Sequence, residues 1–155
     1  MLSLLVLTSA CSAPLLVQRH ASGVIEVTLK RPAKLNALNS EVVDGLRAAV
    51  AQATEDDAAA MLLTAASEPN RPRAFCAGGD IKEVAAMPLE NRRSFLHREY
   101  SLMLELFELR SRMPVVALAN GLVLGAGAGV FMAADTRIAT AASGFGMPEC
   151  VLGIV

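Results

Sequence analysis

Residues 114–140 read PVVALANGLVLGAGAGVFMAADTRIAT, and this stretch decides the fold class. Val115 to Ala119 is a short continuous apolar run of the kind that forms a covered strand. Gly121 to Gly129 is a glycine-rich turn, Val130 to Ala134 a small-residue helix, and Arg137 to Thr140 a further strand. Strand, turn, helix, strand is the unit of α/β proteins, whose parallel strands are joined by right-handed crossovers. The same alternation recurs upstream. Ile25, Val27 and Leu29 alternate with Glu26, Thr28 and Lys30, a period of two with one buried face, and Arg31-Pro32 ends that strand. Ser40 is the expected N-cap of a helix in which Val42, Val43, Leu46, Ala49, Val50 and Ala53 recur at helical spacing. Ala60 to Thr64 reads as a strand covered on both faces, and Ser67 to Arg73 as a loop. A long helix is expected from about Asn91 to Arg110, with Leu96, Tyr100, Met103 and Phe107 along one apolar stripe, and Met113-Pro114 ends it.

Composition narrows the function classes. The chain has 155 residues, 54% apolar and 19% charged, which fits one well-cored domain and excludes a disordered chain. Fourteen basic against fifteen acidic side chains leave a net charge of −1, without the basic excess of a nucleic-acid binder. Cys11, Cys76 and Cys150 are too few and too scattered for a disulfide framework or a zinc site. No apolar run reaches the ~20 residues needed to cross a bilayer. Residues 1–13, MLSLLVLTSACSA, form an uncharged leader. They resemble a targeting signal but lack a basic n-region, and fit a non-functional or first-strand leader as well. Residues 14–155 then form one domain.

Three segments could carry chemistry. Ala74-Phe75-Cys76-Ala77-Gly78-Gly79-Asp80-Ile81 runs from a strand into glycines before a helix, where backbone amides stay open to a ligand. Asn120 to Gly129 makes the same transition, and a helix start offers free N–H donors and partial positive charge. Gly146-Met147-Pro148-Glu149-Cys150 places a carboxylate in a loop after the last strand. Two amides from separate turns and one carboxylate suit acyl chemistry, with the donors holding an oxyanion while the carboxylate attacks or acts as base. Each feature also has a plain structural explanation. Glycine turns are common in α/β folds, Glu149 could be solvated, and Glu99 could pair with Arg98 or a residue one turn away. The alternate glycines at 125, 127 and 129 do not have the G-x-G-x-x-G spacing of a dinucleotide site. His20 and His97 lack metal-ligand spacing, and Cys76 and Cys150 read as small buried apolar residues.

Taken in order, the segments resemble the crotonase (enoyl-CoA hydratase/isomerase) superfamily. The resemblance rests on Val24 to Pro32 with Leu35-Asn36-Ala37-Leu38, on AFCAGGDI at 74–81, on Pro114 to Ala139, and on Phe145-Gly146-Met147-Pro148-Glu149. It covers about residues 15 to 155. It implies an α/β fold built as a spiral of ββα units, of which this chain is the N-terminal part without the C-terminal helical region. It implies an acyl-CoA substrate, with CoA part of the substrate and no metal or separate cofactor. Hydratases of the superfamily place a glutamate where this chain has Gly129. That position, with Arg98-Glu99-Tyr100 and Met147-Pro148-Glu149, resembles the 3-hydroxyisobutyryl-CoA hydrolase branch, a thioesterase of valine breakdown. By that resemblance Glu149 and Glu99 are catalytic, and Gly79 and Ala126 supply the oxyanion amides. Ala77, Gly78, Asp80, Ile81 and Gly127 would contact CoA or substrate. Ala126 departs from the family's usual glycine, and a helix start tolerates alanine there because φ is negative. The resemblance further implies a mitochondrial location and self-association of the full-length protein, with no nucleic-acid or membrane partner. The alternatives are an enoyl-CoA hydratase/isomerase and an inactive CoA-binding fragment.

Overall fold

Alternation of Ile25, Val27 and Leu29 with polar residues builds the strand on which everything else is assembled. The computed structural model describes residues 13–152, so most of the leader lies outside the described residues. β1 (Leu15–Arg19) and β2 (Val24–Leu29) form an antiparallel hairpin, from the pair Leu15 and Leu29 to the pair Arg19 and Ile25. Gly23, at φ +84, makes the turn. This pairing departs from the all-parallel expectation, because a four-residue connection can join only antiparallel neighbours.

The segment after β2 is a fastener. Leu35 and Asn36 both adopt positive φ, and the Asn36 side chain is almost wholly buried. Its carbonyl accepts from the Arg31 amide (2.8 Å), and its NH₂ donates to the carbonyls of Ala66 (3.0 Å) and Ala74 (2.8 Å). One side chain thereby ties its own connection to the end of β3 (Ala60–Ala65) and the start of β4 (Ala74–Cys76), with bonds stronger in this drier environment than in water.

α1 (Ser40–Glu55) follows, and Asn39, not Ser40, is its N-cap: the Asn39 side chain accepts from the Val42 amide at 3.0 Å. The expected apolar face, Val42 to Ala53, is buried against the sheet. β3 (Ala60–Ala65) buries Met61 and Leu63 while Leu62 and Thr64 are half-buried, so only one face is fully covered. β4 (Ala74–Cys76), α2 (Ile81–Ala86) and α3 (Leu89–Leu109) come next. Of the stripe Leu96, Tyr100, Met103 and Phe107, only Met103 packs against the core, and the other three are exposed. The inner face of α3 is Phe95, Glu99, Leu102, Leu106 and Leu109, and Arg98 and Glu105 tie the helix to Asp44 and Arg47 of α1.

β5 (Val115–Ala119), β6 (Leu122–Leu124), α4 (Ala126–Ala133), β7 (Thr136–Ala139), β8 (Gly144–Gly146) and α5 (Glu149–Leu152) complete the described chain. Two sheets result. The larger has the order β1-β2-β3-β5-β7 and the smaller β4-β6-β8, and every pair except β1–β2 is parallel. From β3 onward the chain therefore places one strand in the large sheet, the next in the small sheet, then a helix. That is the expected ββα progression. Among the described residues no helix is long and apolar enough to cross a membrane.

Candidate active site

The three segments singled out from sequence follow the three strands of the small sheet. Because β4, β6 and β8 are parallel, their C-terminal ends share one edge, with β6 between the others. Open parallel sheets bind ligands at that edge. Gly78 (φ +93) follows β4 and Gly125 (φ +50) follows β6, each in backbone conformations that side chains rarely adopt. A Cβ on Gly78 would stand 3.1 Å from the Leu124 carbonyl oxygen and 3.6 Å from the Ala126 nitrogen, so the two turns lie against each other.

Two amides are left over at this junction. Leu38 donates to the Gly78 carbonyl (2.8 Å) and accepts from the Asp80 amide (2.7 Å). In that parallel pattern the N–H of the intervening residue, Gly79, points away from Leu38. Ala126 is the first residue of α4, where amides have no acceptor within the helix and the helix dipole is positive. Neither amide has an acceptor among the described residues.

Two carboxylates face the same space. Glu99 is 5% exposed on the inner face of α3, and its Oε1 has no hydrogen-bond partner. A Cβ on Gly79 would stand 3.3 Å from that oxygen. Burial, reinforced by the negative charge of Glu149, pushes the Glu99 carboxyl up to about 7. It does not pair with Arg98, which bonds Asp44 instead. Glu149 opens α5 and is not in a loop. Its Oε1 lies against Gly125 where no Cβ could fit, and its Oε2 is buried without a partner.

These groups line one cavity of about 410 Å³. Of the residues that the resemblance implies, Ala77, Gly78, Gly79, Ile81, Glu99, Ala126 and Glu149 line it. Asp80 and Gly127 do not. Asp80 caps α2 by accepting from the Glu83 amide and pairs with Arg31 at 2.9 Å, and burial alone would push its carboxyl up. The bonds from Arg31 and the Glu83 amide outweigh that effect and hold it below the ordinary range. Gly127 packs against Cys76, leaving no room for a side chain. The cavity is also lined by Val84 and Phe95, which no sequence signal marks, and by Leu96, Tyr100 and Met103, whose helical spacing is a signal that reads equally as core. Cys76 is buried, and desolvation pushes its thiol up to about 12, so it is a packing residue. His20 pairs with Glu26 at the surface, and His97 contacts Ser101. No group of metal-ligating side chains gathers among the described residues.

The arrangement can hold negative charge on an oxygen between two amides while two carboxyls exchange protons nearby. The Enoyl-CoA hydratase/isomerase family model matches residues 24–155. The chain is 38% identical over 134 residues to a short-chain-enoyl-CoA hydratase of Clostridium acetobutylicum, an alignment that covers 84% of the chain and 48% of the relative. It is 34% identical over 149 residues to a probable 3-hydroxyisobutyryl-CoA hydrolase of Arabidopsis thaliana, covering 94% and 38% respectively. The crystal structure of an enoyl-CoA hydratase from Bacillus anthracis superposes with a TM-score of 0.81 at 31% identity, covering 92% of this chain and 53% of that one. The chain thus spans about half the length of its relatives, and its α/β architecture is the N-terminal part of the crotonase fold. On the match of the family model from β2 through the three segments of the site, the chain belongs to the enoyl-CoA hydratase/isomerase family.

Proposed function

We propose that the cavity binds the thioester end of an acyl-CoA and that the protein transforms the acyl group by acid–base catalysis. One observation carries this reading: two amides without acceptors and two carboxylates with unpartnered buried oxygens line a single cavity. The thioester carbonyl oxygen would sit between the amides of Gly79 and Ala126. Such a donor is worth about 3–4 kcal/mol of barrier when charge develops on that oxygen. Glu99, buried and holding its proton near neutrality, serves as the acid, and Glu149 as the base. Adding water across an enoyl thioester needs one carboxyl to activate water and another to deliver a proton to carbon. Hydratase or isomerase chemistry is the reading that the named relatives favour.

A second reading is hydrolysis of the thioester itself, with 3-hydroxyisobutyryl-CoA as substrate. Position 129 favours it. There the resemblance expects a hydratase glutamate, this chain has glycine, and the Met103 thioether fills the adjoining room, 2.5 Å from where a Cβ would stand. Glu149 would then attack the carbonyl or activate water, and Glu99 would hold the substrate hydroxyl. Location in mitochondria and self-association of the whole protein belong to the same proposal and rest on the resemblance alone.

Incubating the full chain with crotonyl-CoA and with 3-hydroxyisobutyryl-CoA tests both readings. Loss of the conjugated-thioester absorbance without thiol release supports hydration, whereas free CoA thiol from the second substrate supports hydrolysis. A chain that neither turns over nor binds either thioester overturns the proposal.

A further inference from the structure

Met103 stands one helical turn beyond Glu99 on α3, and Gly129 stands about one turn beyond Ala126 on α4. Both line the cavity, and they touch: a Cβ on Gly129 would meet the Met103 Sδ at 2.5 Å and its Cε at 2.7 Å. The pair therefore walls the cavity roughly 5 Å, one helical turn, past the proposed thioester position. Met103 is only partly buried, and thioether side chains adjust easily to their surroundings.

We infer that the Met103–Gly129 contact sets how long an acyl chain the cavity accepts, with Met103 as the specificity-determining residue and a short, apolar-ended acyl group as its ligand. This inference rests on the acyl-CoA reading of the site. Met103 offers no hydrogen-bond donor to an acyl terminus, so discrimination there is by volume. Gly129 permits the thioether to withdraw toward α4, and any side chain at 129 must push it into the cavity. Because the clashing atoms are the far end of a flexible side chain, such a change moves Met103 without breaking the helix contact.

The test is a calorimetric titration of the full chain with acetyl-, butyryl- and hexanoyl-CoA, repeated on Met103→Ala and Gly129→Ala. Met103→Ala should improve hexanoyl-CoA relative to acetyl-CoA by about tenfold, the worth of burying two further methylenes. Gly129→Ala should shift the preference the other way. Two variants with the unaltered chain-length profile overturn the inference while leaving the acyl-CoA reading intact. An unaltered protein that binds none of the three thioesters overturns that reading, and the inference with it.

Discussion

Glu99 Oε1 borders the Gly79 backbone so closely that a Cβ on the glycine would stand 3.3 Å from it. The buried carboxyl therefore lies beside the turn whose Gly79 amide has no acceptor among the described residues. Family resemblance supplied both residues as candidates, but only the packing of α3 against the β4 turn joins them.

Glu99 keeps its proton to about pH 7 in the folded protein but sheds it in the ordinary carboxylate range when unfolded. Across that window the folded state binds more protons than the unfolded state, so stability falls as pH rises. The full displacement corresponds to about 3 kcal/mol. Urea unfolding of the full chain at about pH 5 and about pH 8 should show the loss, and Glu99→Gln should flatten it while raising stability at the higher pH. An equal slope in the variant would assign the effect to other groups.

Gly125→Ala should be costly for two separable reasons. Its φ of +50 with ψ of −128 is a region essentially reserved for glycine, worth about 1–3 kcal/mol. The new methyl would also displace the Glu149 carboxylate. Lower urea midpoints with acyl-CoA affinity reduced beyond the fraction unfolded are expected. A variant as stable as the parent would contradict the backbone geometry.

Much of the fold was legible because it rests on periodic patterns. Val42 to Ala53 and Ile25 to Leu29 present one apolar face each, and both are buried as read. α3 misled by a single residue of rotation. It carries two adjacent apolar stripes, and the inner one is interrupted by Glu99, so the outer stripe of Leu96, Tyr100, Met103 and Phe107 looked more continuous. A carboxylate in a core stripe lowers the pattern score at the very position where chemistry is placed. β4, β6 and β8 have three residues each, too short for any periodic signal, yet their parallel pairing gathers the site. Two of the three bonds of Asn36, to Ala66 and Ala74, join residues 30 and 38 positions away, which no local pattern reveals.

Asp80 should behave as a structural residue. Asp80→Ala removes the α2 cap and leaves the largely buried Arg31 guanidinium without its carboxylate, an expected loss of about 1–3 kcal/mol. Asp80→Asn keeps the cap and should lose less. Its depressed carboxyl also stabilises the fold above the ordinary carboxylate range and ceases to do so as acid protonates it. Thermal unfolding of both variants checks the order. A stable Asp80→Ala with acyl-CoA binding abolished would return Asp80 to the ligand.

Cys76 offers a probe of global opening. Its thiol is fully buried and desolvation holds it protonated, pushed up to about 12. Alkylation requires thiolate and access, and the folded protein provides neither. With iodoacetamide, the peptide containing Cys76 should stay unmodified in native buffer and label at the rate of unfolding in urea, as read by mass spectrometry. Rapid native labelling would mean that the β4 end opens locally.

Glu149→Gln separates binding from chemistry. The amide is isosteric, so the α5 start and its contact with Gly125 survive, while the base is removed. Loss of a general base costs about 10²–10⁴-fold in rate. Glu99→Gln removes the proposed acid, so turnover should fall by a comparable factor and lose the part of its pH profile that follows Glu99. Acyl-CoA affinity should change little in either variant, since the Gly79 and Ala126 amides are untouched. Should Glu149→Gln bind acyl-CoA and turn it over at the parent rate, the base lies elsewhere and the Glu149 carboxylate serves only to seat α5 on the Gly125 turn.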